Sequence, residues 1–374
     1  MFRRILPYFT LTLIVFASTL IVWLPFLLRT NSWYGLTIEN SNMQYIYRNF
    51  DGPLYIIPAK TLYNPSAIEK IGLEVPLSTK YFAAHLPLYP ILIRAVGGIL
   101  GYLKAMIFIN LSFSILLTLF FYFFLKKLKL TKKPWLLACI FLFLPKFLVV
   151  RSIGAPESLF MLLILLSLYF FEKEEYLLAG LTGGLSAMTK TPGILLFVAY
   201  GLVFLEKWIK TKKISWSWLG IILIPLGLLG VFGLYYLQYG DFFAYFNTGG
   251  LVPMPYIFSV FNYRAKWVST AWLEEIILYF FLYGLATVFL KKIKYRSLFY
   301  FCGVFFIAIL FVQHRDIPRY SLPMWPIACI AFEKLFTSRK FITVFAILIT
   351  AIYLYAWNFI VFNVMPISNW KPFL

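Results

Sequence analysis

Charge is scarce in this chain. Asp, Glu, Lys and Arg make up 13% of its 374 residues, roughly half the share of a soluble domain, while hydrophobic residues reach 62% and aromatic residues 21%. That balance excludes a soluble globular protein. Aspartate occurs only at Asp51, Asp241 and Asp316, and histidine only at His85 and His314. Two histidines so distant in sequence exclude a local metal-binding pair; a divalent metal could enter only at a site assembled by the fold. Cys139, Cys302 and Cys329 sit inside apolar runs without C-x-x-C spacing or a neighbouring His. That excludes a zinc ribbon or redox motif and leaves them as packing residues. No cofactor is expected. A long polar stretch is also missing, so residues 1–374 are expected to form a single integral membrane domain.

What the chain does have is a succession of apolar segments near the roughly 20 residues needed to cross about 30 Å of hydrocarbon. Its formal charge of +20 is gathered in short Lys/Arg clusters between those segments. This is the pattern of a topology signal, and it argues against a nucleic-acid partner. Arg3 and Arg4 precede a first span too long for a cleaved signal, so residues 1–28 read as a signal anchor crossing outward. Residues 29–104 then form a first external loop. Its Tyr45, Tyr47, Tyr55, Tyr63, Tyr81 and Tyr89 suit the lipid headgroup layer. Within it, Asn64-Pro65-Ser66-Ala67-Ile68-Glu69 contains a capping-box pattern, Ser66 with Glu69 three residues later, which predicts a short interfacial helix. The Pro- and Gly-rich stretch 86–100 is expected to be re-entrant or flat-lying.

Residues 105–374 complete the bundle. The alternation of basic clusters predicts an all-α polytopic membrane protein with about eleven transmembrane helices and a second external loop over 239–270. The third span (134–150) rises to Arg151, the fourth (158–171) descends, and the fifth and sixth meet outside at Lys190. All five basic clusters fall inside. Asp51, Asp241, Asp316, His85, His314, Arg151, Glu157, Lys190, Arg315 and Arg319 fall outside, and no span keeps a charge at its middle. Pumps and ion-coupled transporters place ionisable groups near the midplane. Charges collected at one interface suggest instead chemistry on an amphiphile whose tail stays in membrane lipid. The G-x-x-x-G spacing from Gly180 to Gly184 reads as a helix-packing seam.

Asp51 is followed by Gly52 and Pro53, so it is either a helix N-cap or a general base taking a proton from an acceptor hydroxyl. A carboxylate saturated by backbone donors would be the poorer base. Arg315, Asp316 and Arg319 make a compact charged turn interrupted by Pro318. Either Asp316 simply neutralises its arginine neighbours, or the turn is functional, the arginines being suited to holding a lipid phosphate as leaving group. Lys190 is a further cation of that kind or a snorkelling end residue. Arg151 and Glu157 either pair across their turn, or Glu157 faces the site.

Several segments together resemble the GT-C class of membrane glycosyltransferases, especially the PIG-V-type mannosyltransferases and their prokaryotic relatives. Asn49-Phe50-Asp51-Gly52-Pro53-Leu54-Tyr55 resembles the family's W-D-x-x-x-Y element, with Phe50 in place of Trp. His85-Leu86-Pro87-Leu88-Tyr89-Pro90-Ile91-Leu92-Ile93-Arg94 is similar to F-F-P-L-Y-P-x-L-I-R, with His85 and Leu86 replacing two Phe. Ala155-Pro156-Glu157-Ser158-Leu159-Phe160 resembles Y-T-E-S-L-F. The stretch from Ala179 to Gly193 resembles A-G-L-x-x-G-L-x-x-L-T-R-x-x-G with Lys190 at the basic position, and Arg319-Tyr320-Ser321-Leu322-Pro323 resembles R-Y-x-L-P. The resemblance implies a GT-C-type architecture and a site on the outer face of the cytoplasmic membrane. It implies a polyprenyl- or dolichyl-phosphate hexose donor, most often mannose, and inverting transfer to a glycolipid, glycan or protein hydroxyl. Asp51 would stand at the catalytic aspartate. Arg315, Arg319 and Lys190 are then candidates for the donor phosphate, and Glu157, Asp316, Tyr55 and His85 for sugar or acceptor. The competing classes are a lipid-linked saccharide flippase or transporter and an oligosaccharide polymerase or ligase of related architecture.

Overall fold

The computed structural model describes residues 2–73, 77–248, 253–265 and 273–374. Residues 74–76 of the expected first loop, and 249–252 and 266–270 of the second, lie outside the described residues. The protein is helical throughout; the strands among the described residues are Ser32–Trp33 and Leu36–Thr37, a two-residue hairpin in the first loop. Among the described residues, five helices are long and apolar enough to cross a bilayer: Ile5–Leu27, Tyr102–Lys127, Thr191–Thr211, Trp216–Tyr239 and Arg339–Phe362. A sixth span results if Pro134–Phe141 and Pro145–Arg151, bent by 76°, form one broken crossing. The chain is thus an integral membrane protein. The expected eleven spans also counted shorter segments. Glu157–Glu172, Tyr176–Thr189, Glu274–Phe289 and Arg296–Leu310 have 16, 14, 16 and 15 residues, which at about 1.5 Å per residue fall short of a 30 Å core.

Contacts between remote segments gather the basic clusters at one end of the bundle. Tyr295 Oη donates to Leu128 O at 3.0 Å, Lys133 Nζ to Thr337 O at 2.8 Å and Thr131 Oγ1 to Glu333 at 2.6 Å. Arg296 pairs with Glu206 at 3.0 Å, and Lys207 with Glu174 at 3.1 Å. The glycine seam packs as expected. A Cβ on Gly180 would lie 1.9 Å from Gly220 O, and one on Gly184 2.6 Å from Leu223 O, so side chains there would force Tyr176–Thr189 off its neighbour.

The first loop is built of short elements: Gln44–Tyr47, Gly52–Thr61, Pro65–Ile71, the 3-10 turn Thr79–Ala84, and Leu88–Leu100 running through Gly101 into Tyr102–Lys127. The surface helix over 65–71 forms, but Ser66 does not cap it. Asn64 does, accepting from Ala67 N at 3.0 Å. Pro65 is the reason, since a proline with its fixed φ and missing N–H fits the first helical position and moves the cap one residue upstream of itself.

The third expected span is broken rather than continuous. Pro145 begins a new helix after a bend, and two cations follow from that bend. Arg151 is 1% exposed. It donates from Nε to Leu142 O at 3.3 Å, from Nη1 to Thr19 Oγ1 at 2.8 Å and from Nη2 to Ser18 Oγ at 2.7 Å. Leu142 lies in the break, where carbonyls lose their regular helical partners, and a five-donor guanidinium is well suited to satisfy them. Two expectations are therefore corrected. Arg151 lies beside the middle of the first helix rather than in an external turn, and it does not pair with Glu157. The second cation, Lys146, is 6% exposed and lies in the helix that follows the bend. Replacing Arg151 with Met, similar in length but without donors, should cost on the order of 3 kcal/mol. Ser18→Ala should cost about 1 kcal/mol; thermal unfolding in detergent ranks the two.

Candidate active site

The residues from Arg48 to Asp51 hang from the far end of the chain. Asn49 is fully buried; its Nδ2 donates to Ile360 O at 2.8 Å and its Oδ1 accepts from Asn363 Nδ2 at 3.2 Å. Met365 N donates to Arg48 O at 2.8 Å, and Phe50 N to Asn363 O at 3.4 Å. This clamp holds Phe50 at φ 48°, in the left-handed region that costs a non-glycine residue about 1–3 kcal/mol. The strained residue turns the chain into the helix Gly52–Thr61. Gly52 is required there, because a Cβ would lie 2.9 Å from Gly154 O. Pro53 occupies the first turn, where its missing N–H costs nothing.

Asp51 stands at the N-cap of that helix, yet its side chain makes no capping hydrogen bond. The carboxylate is 52% exposed, and its one ion pair among the described residues is with Arg319 Nη1 at 3.9 Å. Of the two roles open to Asp51 from sequence, the cap is thus unfilled. Arg319 is itself buried and donates from Nε to Glu157 Oε1 at 2.7 Å. Lys190 Nζ donates to the same oxygen, also at 2.7 Å. Glu157 is 1% exposed, and its second oxygen has no partner among the described residues. Burial alone would raise the Glu157 carboxyl; the cations of Arg319 and Lys190 outweigh it and hold the group down to about 2. For Arg319, burial opposes the charge, and the carboxylates of Glu157 and Asp51 more than restore it.

A second branch lies across the Phe50 ring. Arg319 sits over one part of that ring at 4.2 Å, and Lys146 Nζ lies 5.7 Å from its centroid and 4.0 Å from Phe359. Lys146 pairs with Asp316 at 2.9 Å. The expectation that Asp316 directly neutralises Arg315 and Arg319 is corrected: the bend at Pro145 brings Lys146 to Asp316, while Arg319 turns to Glu157. Arg315 is exposed and stands apart from these pairs.

On the other side, Lys190, Tyr55 and Tyr320 line a cavity of about 270 Å³ whose walls are otherwise largely apolar, including Leu195, Phe232, Phe305 and Ile309. Tyr55 is fixed edge-on to His85 at 4.7 Å and Tyr89 at 5.2 Å. His85 is 4% exposed, and its Nδ1 lacks a partner among the described residues. Burial lowers its pKa from 6.5 to about 4, the nearby Asp51 only partly opposing this, so the ring is neutral at neutral pH. Asp241 lies elsewhere, in an exposed pair with Lys80 at 3.3 Å. Among the described residues no three His, Cys, Asp or Glu side chains gather as a metal-binding group.

The fold therefore brings together Asp51, Arg319, Glu157, Lys190, Tyr55, Asp316 and His85, and leaves Arg315 at the rim. Lys146 and Asn49 were missed from sequence. Leu-Pro-Lys at 144–146, a proline and a cation inside an apolar run, was a usable signal for Lys146. Asn49 had none, its partners being 311 and 314 residues away.

No protein-family model and no curated protein matches this sequence. Solved structures do resemble it. ArnT from Cupriavidus metallidurans, bound to undecaprenyl phosphate, matches with a TM-score of 0.57 at 13% identity over 90% of this chain and 63% of its own. The Archaeoglobus fulgidus oligosaccharyltransferase, tethered to an acceptor peptide containing the NVT sequon, matches with a TM-score of 0.50 at 14% identity over 97% of this chain and 56% of its own. The chain spans less than two thirds of either protein. The chain shares the fold of these two structures.

The buried neutral His85 makes stability depend on pH. Between about 6.5 and about 4 the unfolded chain binds a proton that the folded one does not, so stability falls as pH falls through that window. The total is up to about 3 kcal/mol. His85→Phe should flatten this slope, as read by thermal unfolding in detergent from pH 7 to pH 4.

Proposed function

We propose that this chain is a membrane hexosyltransferase that moves a sugar, mannose by the motif resemblance, from a polyprenyl- or dolichyl-phosphate donor to an acceptor hydroxyl at the extracytoplasmic face, with inversion. One observation carries this reading. The Asp51 carboxylate is free of backbone donors and half exposed, 3.9 Å from Arg319, and a chain of buried ion pairs leads from Arg319 through Glu157 to Lys190 on the wall of an apolar cavity. A lipid phosphate with an apolar tail needs such a cation beside such a cavity. The presence of undecaprenyl phosphate in the ArnT structure agrees with that substrate class.

In the proposed step the acceptor oxygen attacks the anomeric carbon from the face opposite the phosphate. Asp51 takes the hydroxyl proton as the new C–O bond forms, and the bond from the anomeric carbon to the phosphate oxygen breaks with its electron pair going to the leaving lipid phosphate. Lys190 and Arg319 stabilise the growing charge on that phosphate, an interaction strengthened by a site shielded from water. Lys146 and Asp316, across Phe50, border the side from which a polar acceptor would approach. Tyr55 and neutral His85 shape the wall between.

The test is to supply membranes containing the protein with labelled polyprenyl-phosphate sugars and to identify the labelled product by mass spectrometry. Transfer of label to an acceptor is expected. Donor that crosses the membrane unchanged, with no labelled product, would replace this proposal with a transporter. Asp51→Asn should lower transfer by about 10²- to 10⁴-fold with membrane insertion unchanged. Undiminished transfer would remove Asp51 from the role of base.

A further inference from the structure

At the end of the bundle that collects the basic clusters, two clefts lie side by side, one neutralised within itself and one carrying only positive charge. The first is lined by Glu172, Glu174 and Glu206 together with Lys207, Lys210 and Arg296. It is neutralised internally: Lys210 and Arg296 both pair with Glu206, at 2.6 and 3.0 Å, and Lys207 pairs with Glu174 at 3.1 Å. The second is a cleft of about 550 Å³ between the ends of Tyr102–Lys127 and Glu274–Phe289 and the helix Trp325–Ala331. It carries Lys129 and Lys292, with Lys294 on the wall shared between the clefts, and no carboxylate lines it. All three lysines are exposed, and none makes an ion pair among the described residues.

The rest of this second cleft is apolar. Leu128, Leu290 and Ile330 are buried along it, and Phe289 stands 58% exposed at its edge. Tyr295 Oη bonds to Leu128 O and so closes the floor between the two helix ends. Lys129 occupies a left-handed backbone position, φ 53°, where glycine would be cheapest. Leu130 N reaches back to Leu125 O at 3.0 Å to hold that turn. Two helix C-termini meet here, each carrying about half a negative charge in partial form, which offsets only part of the two or three full positive charges.

We infer that this cleft binds an anionic two-chain phospholipid of the leaflet at the basic end, its phosphate between Lys129, Lys292 and Lys294 and its acyl chains against Phe289 and the apolar floor. Unpaired lysines over apolar walls match an anionic lipid in both charge and greasiness. A zwitterionic lipid would bring its own cation to a place already short of anions. An acidic protein segment would leave the apolar walls and Phe289 uncovered. The adjoining cleft is also lined by cations, but Lys207, Lys210 and Arg296 there are already engaged by its glutamates. The site lies at the opposite end from Asp51 and is independent of the glycosyl-transfer proposal.

The experiment uses the full chain purified in mixed micelles, offered dioleoyl phosphatidylglycerol and dioleoyl phosphatidylcholine in equal amounts, with retained lipid counted by native mass spectrometry. Phosphatidylglycerol should be retained in preference, and less so as salt rises. Lys129→Gln and Lys292→Gln should each weaken that retention about fivefold, the equivalent of about 1 kcal/mol per lysine. Lys210→Gln, in the neutralised cleft, should leave it unchanged. Both target lysines are exposed, so their variants should elute as the same monodisperse species as the parent. Equal retention of the two lipids would overturn the inference, as would an equal loss with Lys210→Gln. Displacement of the retained lipid by inorganic phosphate would also overturn it, by identifying a free anion as the ligand.

Discussion

One oxygen atom holds the site together. Glu157 Oε1 accepts from both Arg319 and Lys190 at 2.7 Å, in a place where the carboxylate is 1% exposed. Three charges buried in this way would be costly if any were unpaired. Removing one partner of such a set typically costs 3–5 kcal/mol, because the remaining charge is stranded. The carboxylate therefore does more than neutralise. It fixes two cations that belong to segments 129 residues apart and aims each toward a different feature, Arg319 toward Asp51 and Lys190 toward the apolar cavity. Because Glu157 meets the needs of Arg319, Asp51 is left 3.9 Å from it and half exposed.

That arrangement divides the site in two. One side joins an apolar cavity to a cation, and the other joins Lys146 to Asp316 across the Phe50 ring. The clamp of residues 360–365 on Arg48, Asn49 and Phe50 holds the ring and the Asp51 turn in register between them. A strained residue at φ 48° persists because its flanks are bonded on both sides.

Much of this was legible in the sequence, and the gaps have physical causes. Composition and the spacing of the Lys/Arg clusters were enough for an all-helical membrane protein, because hydrocarbon leaves few options for backbone polar groups. The short motifs around Asp51, Glu157, Lys190 and Arg319 marked residues that the fold then collects. Pairing was another matter. An Arg151–Glu157 pair was one of two readings open from sequence, but the bend at Pro145 sends Arg151 to Ser18 and Thr19. The same bend delivers Lys146 to Asp316. A rule that treats each apolar run as a straight rod cannot foresee either. The argument against a transporter from missing mid-span charge also loses its footing, since Arg151 is charged and lies beside the middle of the first helix. Distinguishing the classes now rests on the free carboxylate of Asp51 rather than on an absence. Asn49 was invisible because its role exists only across the whole length of the chain.

The most direct test of this account is Glu157→Gln, which keeps the side-chain shape and one acceptor oxygen but removes the charge. In protein that remains folded, transfer from a labelled polyprenyl-phosphate hexose and retention of undecaprenyl phosphate should be measured side by side. If the bridge positions both cations, transfer should fall by at least about 10²-fold, while retention of the lipid phosphate should hold or strengthen, since Lys190 and Arg319 have lost their shared counter-ion. Transfer at the rate of the unmodified protein would contradict the account.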